Sequence, residues 1–162
     1  MKRMLLIAGA MCALAAAVGL SSARSATPVS ISLTGCYFLN GGQETVPAGS
    51  DVSVRFGWAE NNRGRTQDFL NAQTVTADVN GVPVANASNL WDPIQKGDGI
   101  YFSFWRASAG TLANPGDSVT VHFQVSLSRA VPEGKDPDTG EHLKAGPGPL
   151  MPADFGCTIT AT

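Results

Sequence analysis

The chain has 162 residues, of which 43% are hydrophobic and 15% charged, and its formal net charge is −2. That length suits one domain around one core. The mildly acidic balance excludes the basic surface that nucleic acid or anionic lipid would require.

The first stretch reads as an export leader. Lys2 and Arg3 supply a positive start, residues 4–20 are apolar and rich in Ala and Leu, and Ser21-Ser22-Ala23 and Ala23-Arg24-Ser25 offer small residues for cleavage. The apolar run is too short and too rich in Ala and Gly for a permanent anchor. Cys12 follows Met11 inside that run, which is not the setting of a lipidated cysteine. Residues 1–26 are therefore assigned as a cleaved signal peptide and residues 27–162 as a single domain. Removing Lys2, Arg3 and Arg24 with the leader leaves 8 basic and 13 acidic residues, a charge near −5. No later stretch is apolar enough to span a membrane. The expected destination is outside the cytoplasm: secreted, periplasmic or on the cell surface. The cysteines left after processing are Cys36 and Cys157. In an oxidising compartment such a pair predicts one disulfide.

In chain order, residues 31–39 read as a strand. Ile31 and Leu33 share one face and Cys36 and Phe38 the other, with Gly35 at the switch as a bulge. Asn40-Gly41-Gly42 breaks it. After a Pro47-Ala48-Gly49-Ser50 turn, residues 51–58 alternate strictly, with Val52, Val54, Phe56 and Trp58 on one side. Residues 60–72 are polar, with one helical turn expected after Thr66 as cap and Phe69 and Leu70 tucked inward. Residues 74–84 predict a hairpin. Val75, Ala77 and Val79 face inward, Asn80-Gly81 makes a type I′ turn, and Val82 and Val84 return on the same face. Pro83 cannot donate to a ladder, which places the return strand at an edge.

Residues 100–106 form the next strand. Ile100, Phe102 and Phe104 share one face, with Phe102 and Phe104 assigned to the core, and Tyr101, Ser103 and Trp105 share the other. Asn114-Pro115-Gly116-Asp117 then marks a tight turn. Residues 118–128 give the clearest alternation in the chain, with Val119, Val121, Phe123, Val125 and Leu127 against Ser118, Thr120, His122, Gln124, Ser126 and Ser128. Residues 130–153 read as one long loop rich in Pro, Gly and charge. The last strand carries Phe155, Cys157 and Ile159 together.

About seven short strands separated by Pro, Gly and Asn turns predict an all-β chain, a two-sheet antiparallel sandwich with one long loop before the last strand. At this level residues 29–162 resemble the immunoglobulin-like and fibronectin type III-like modules of exported bacterial proteins. The resemblance rests on alternation and implies an immunoglobulin-like sandwich. It implies no particular activity.

Catalytic signals are sparse. There are two histidines, His122 on a wet strand face and His142 in the long loop, and no Gly-x-Ser-x-Gly nucleophile elbow. Zinc-ligand spacing is absent, and neither metal nor cofactor is expected. Asp136-Pro137-Asp138-Thr139-Gly140-Glu141 begins like a calcium loop, but Pro147 stands where an EF-hand needs its twelfth-position Glu. Candidate binding residues are Asp136, Asp138 and Glu141 in the loop, with Trp91, Tyr101 and Trp105 as flat aromatics for a sugar ring or a protein anchor. The first functional expectation is a non-enzymatic, exported interaction module for an extracellular protein or polysaccharide. The alternatives are a structural envelope protein and a small secreted hydrolase or carbohydrate-active enzyme. The enzyme would need two of Glu60, Asp68, Asp92 and Asp98 to converge in a cleft.

Overall fold

A computed structural model of the chain describes residues 26–135 and 142–162. The leader lies outside these residues except for Ala26, and so do Asp136, Asp138 and Glu141.

The first sheet has the order β1-β3-β7-β6, formed by β1 (Thr27–Ser32), β3 (Ser50–Glu60), β7 (Ile100–Leu112) and β6 (Gln95–Gly97). The second has the order β2-β12-β8-β4-β5, formed by β2 (Gln43–Val46), β12 (Gly156–Ala161), β8 (Ser118–Leu127), β4 (Gln73–Val79) and β5 (Val82–Pro83). Among the described residues the α-helices α1 (Leu33–Leu39) and α2 (Arg63–Ala72) sit between strands. The chain is mostly β, and the two sheets pack against each other. The expected purely antiparallel pairing needs correction. β1 runs parallel to β3 and β2 runs parallel to β12, while β3–β7, β4–β8 and β8–β12 are antiparallel.

The alternation in β8 translates directly into packing. Val119, Val121, Phe123, Val125 and Leu127 are all buried. Phe123 lies at the centre, with ring centroids 4.9 Å from Phe56, 4.8 Å from Trp105 and 6.1 Å from Phe155. The first sheet contributes Val52, Val54, Phe56 and Trp105, and β12 contributes Cys157 and Ile159. The Asn80-Gly81 turn holds both residues at positive φ, 51° and 77°, as a type I′ hairpin demands. β5 lies at the sheet edge, where Pro83 was expected, but Val82 points outward and is 68% exposed.

Two elements differ in kind from the sequence reading. The strand expected over residues 31–39 ends at Ser32, whose hydroxyl accepts from the Gly35 N–H at 3.3 Å and caps α1. Leu33 and Cys36 are buried at helical spacing, so the face change at Gly35 is a helical turn rather than a bulge. The single turn expected near Thr66 is a ten-residue helix capped by Asn62 instead. Thr66 is buried inside it and donates to the Tyr101 carbonyl at 3.1 Å.

The expected long loop is largely paired backbone. β9 (Val131–Lys135) and β10 (His142–Ala145) form an antiparallel hairpin. Pro132 stands opposite Lys144, where the register shifts, a position at which a missing N–H is tolerated. β11 (Gly148–Pro149) then adds to β8, and the Leu150 N–H donates to the Val125 carbonyl at 2.9 Å. Val131 and Ala145 are buried and join the core.

Cys36 and Cys157 form the disulfide, with Cα atoms 5.9 Å apart. The expectation that both lie on terminal strands is corrected for Cys36, which sits on α1. The bridge ties α1 to β12 across 121 positions of sequence. Closing so long a loop removes much unfolded-state entropy. Replacing both cysteines by serine is expected to cost about 2–5 kcal/mol of unfolding free energy in denaturant titration. A loss within error of zero would mean that packing of Leu33 and Phe155 alone fixes the helix.

Candidate functional site

Alternation along β7 runs opposite to the sequence assignment. Ser103 and Trp105 are fully buried, whereas Phe102 and Phe104 are half-buried and Ile100 is 43% exposed. Trp105 stands opposite Phe56 on the inner face, and its indole N–H donates to the Ala87 carbonyl at 2.8 Å. The Ser103 hydroxyl donates to the Asp92 carbonyl at 2.6 Å. Both polar atoms are satisfied inside, so the tryptophan face packs inward and the phenylalanines turn out.

The outer face thus carries an aromatic platform. Phe104 pairs across the sheet with Gly57, and its ring falls over that glycine. A Cβ built on Gly57 would lie 2.8 Å from the Phe104 ring, so no larger residue fits beneath it as it stands. Phe102 leans the other way, with its ring 3.3 Å from a Cβ built on Gly97 of β6. The two phenyl centroids are 5.5 Å apart and tilted by 57°. Together with Gly57, Trp58, Ala59 and Ile100 they line a shallow depression of about 400 Å3.

Arginines bracket one end of this platform. Arg55 and Arg106 are direct cross-strand partners. Each guanidinium carbon sits 5.3 Å from the Phe104 centroid, within cation–π range. Arg106 also donates from Nε to Asp92 at 2.7 Å. Among the described residues no carboxylate lies within ion-pair distance of Arg55. Like charges directly opposite on a sheet destabilise it, and here two guanidinium groups are held together beside the ring.

The sequence-assigned site residues do not form one surface. Trp105 is core. Trp91 is half-buried and packs edge-on against Phe56 and Phe69 at 6.1 and 5.3 Å. It lines a separate depression of about 310 Å3 with Asp92 and α2. Tyr101 is half-buried, under Lys96 at 5.4 Å. Asp136, Asp138 and Glu141 lie outside the described residues. Sequence reasoning missed Phe102, Phe104, Arg55 and Arg106. A glycine in mid-strand, Gly57, was the available signal, because such a glycine marks close approach by another group.

Three of the aspartates are paired separately. Asp92 pairs with Arg106, Asp68 with Arg129 at 3.2 Å, and Asp78 with His122 at 3.2 Å. Asp92 lines the depression beside Trp91 without Glu60, Asp68 or Asp98. Glu60 is only 7% exposed, and burial pushes its carboxyl pKa up; Arg65 partly offsets this and Glu133 adds to it. Among the described residues no three His, Cys, Asp or Glu side chains gather as a metal site, and no helix is long and apolar enough to cross a membrane. No protein-family model matches the chain, and no curated protein is significantly similar to it.

The two faces of β7 make distinct predictions for neighbouring residues. Trp105→Ala is expected to cost about 3–5 kcal/mol and Phe104→Ala about 1 kcal/mol or less. The reverse order in denaturant titration would restore the original face assignment. Glu60 gives a pH test. A folded-state pKa above the unfolded one means that protonation favours the fold, so its contribution is whole below the unfolded pKa and is lost as pH rises through the folded value. Glu60→Gln is expected to raise the melting midpoint at about pH 7 and leave it unchanged near about pH 4. Parallel midpoint curves for the two proteins would show that the carboxyl is not perturbed.

Proposed function

We propose that this chain is the precursor of an exported, non-enzymatic binding module and that the outer face of the first sheet is its recognition surface. The observation that carries the reading is the platform of Ile100, Phe102 and Phe104 left open beside Arg55 and Arg106. A contiguous apolar patch with a charged rim is what a recognition surface needs. Lys2, Arg3, the apolar residues 4–20 and the small residues after them support a cleaved leader, and the Cys36–Cys157 bridge suits an oxidising compartment. In architecture the reading is an immunoglobulin-like sandwich with added parallel edge strands, supported by the antiparallel β3–β7 and β4–β8–β12 pairings.

Binding by a rigid sheet face needs no acid or base, and the pairing of Asp68 and Asp92 with arginines fits that. The expected ligand is an extracellular protein or polysaccharide. The test is retention of the labelled protein on the envelope and extracellular-polymer fraction of the producing cells. Phe102→Ala/Phe104→Ala is expected to fold, with the melting midpoint lowered only slightly, and to lose about 90% or more of that retention, a tenfold effect. Equal retention by the variant would rule out this face as the recognition surface.

A further inference from the structure

Building on the outer face as the recognition surface, we propose that its ligand is a carboxylate-bearing polysaccharide of the polyuronate type.

Three observations converge on that chemistry. The first is the lie of the rings. Phe104 lies against Gly57 and Phe102 against Gly97, and each ring keeps part of its aromatic surface exposed. The C–H face of a pyranose packs flat on such a surface. The 5.5 Å spacing of the two rings is comparable with the length of one sugar unit, and their 57° tilt makes a shallow trough that follows a polymer rather than enclosing a small molecule.

The second observation is charge. The exported chain is acidic, yet this end of the platform carries two arginines placed directly opposite each other. Asp92 pairs with Arg106 through Nε, and among the described residues no carboxylate lies within ion-pair distance of Arg55. An anion lodged against both guanidinium groups relieves the cross-strand repulsion that the free protein carries. Guanidinium matches carboxylate geometry with paired N–H donors. A sugar stacked on Phe104 places a carboxylate at its C5 substituent next to that ring, where Arg55 stands.

The third is size. Protein partners bury roughly 20–30 residues a side around deep, desolvated anchor pockets. Here six residues line a shallow depression, bounded by two arginines. That footprint suits a few units of a linear polymer.

The test is native affinity electrophoresis of the exported protein through gels containing polygalacturonate, neutral dextran or poly-L-glutamate. Retardation is expected in polygalacturonate alone and is expected to weaken with added salt. Phe104→Ala and Arg55→Gln are each expected to reduce the affinity about tenfold or more. Arg55→Gln is also expected to melt at the same temperature as the parent or higher, because it removes one of two facing like charges. A simple folding defect cannot produce loss of binding with undiminished stability. Equal retardation by poly-L-glutamate would overturn the saccharide in favour of an acidic protein and leave the surface in place. Equal retardation by dextran would overturn the carboxylate. Absence of retardation in all three gels would overturn this inference alone, since retention on the envelope fraction tests the surface independently. Full binding by Phe104→Ala would overturn the inference and the surface together.

Discussion

Phe123 is the ring on which both sheets close. It projects from the middle of β8 and is met by Phe56 from β3, Trp105 from β7 and Phe155 just ahead of β12. Burying rings of this size supplies a large share of the apolar area removed from water, at roughly 25 cal/mol per Å2. The space opposite Phe123 is therefore contested, and β7 has two candidate faces for it. Trp105 fills more volume than Phe104, and the Ala87 carbonyl satisfies its N–H. Taking Trp105 inside commits every other residue of β7, because side chains alternate and a one-residue slip reverses them all. The outward position of Phe102 and Phe104 is a consequence of that single choice.

The same choice explains which parts of the molecule were legible in the sequence. β8 was legible because its two faces differ in kind, with aliphatic and aromatic residues on one and hydroxyls and amides on the other. The Asn80-Gly81 hairpin was legible because few residues other than Asn and Gly adopt positive φ twice in succession. β7 carries aromatics on both faces, so alternation locates the strand and leaves its sign open. What settles the sign is a hydrogen-bond acceptor at Ala87, eighteen residues away, and no local pattern reports it. The candidate site inherited the error: the residues assigned to the core are the ones that line the open face.

Local signals failed elsewhere for related reasons. α1 is seven residues long, too short for helical periodicity to separate from an alternating strand with one slip. The Ser32 hydroxyl acting as a cap was the distinguishing feature. In residues 130–153, abundant Pro and Gly suggested open loop. Yet Pro132 sits at a register shift and Pro149 lies in a two-residue strand along β8, both positions that spare the ladder a donor. The disulfide was legible from redox logic alone, although the element bearing Cys36 was misjudged, because pairing depends on compartment and distance and not on secondary structure.

The outer face of the first sheet concentrates features that work against stability. Phe102, Phe104 and Ile100 keep part of their apolar surface in water and forgo the stabilisation that full burial would bring. Gly57 weakens the middle of β3, since glycine in a strand loses more backbone entropy than any other residue. Arg55 and Arg106 oppose each other across the ladder. Folding alone would favour a residue with a side chain at Gly57 and a carboxylate opposite one arginine. Domains have only about 5–15 kcal/mol in hand, so several such departures on one face need support from elsewhere. The Phe123 cluster and the Cys36–Cys157 bridge lie on the other side of the β3–β7 ladder and provide it. Several of these departures fall on one exposed face of the first sheet, and the recognition surface proposed above accounts for their placement there.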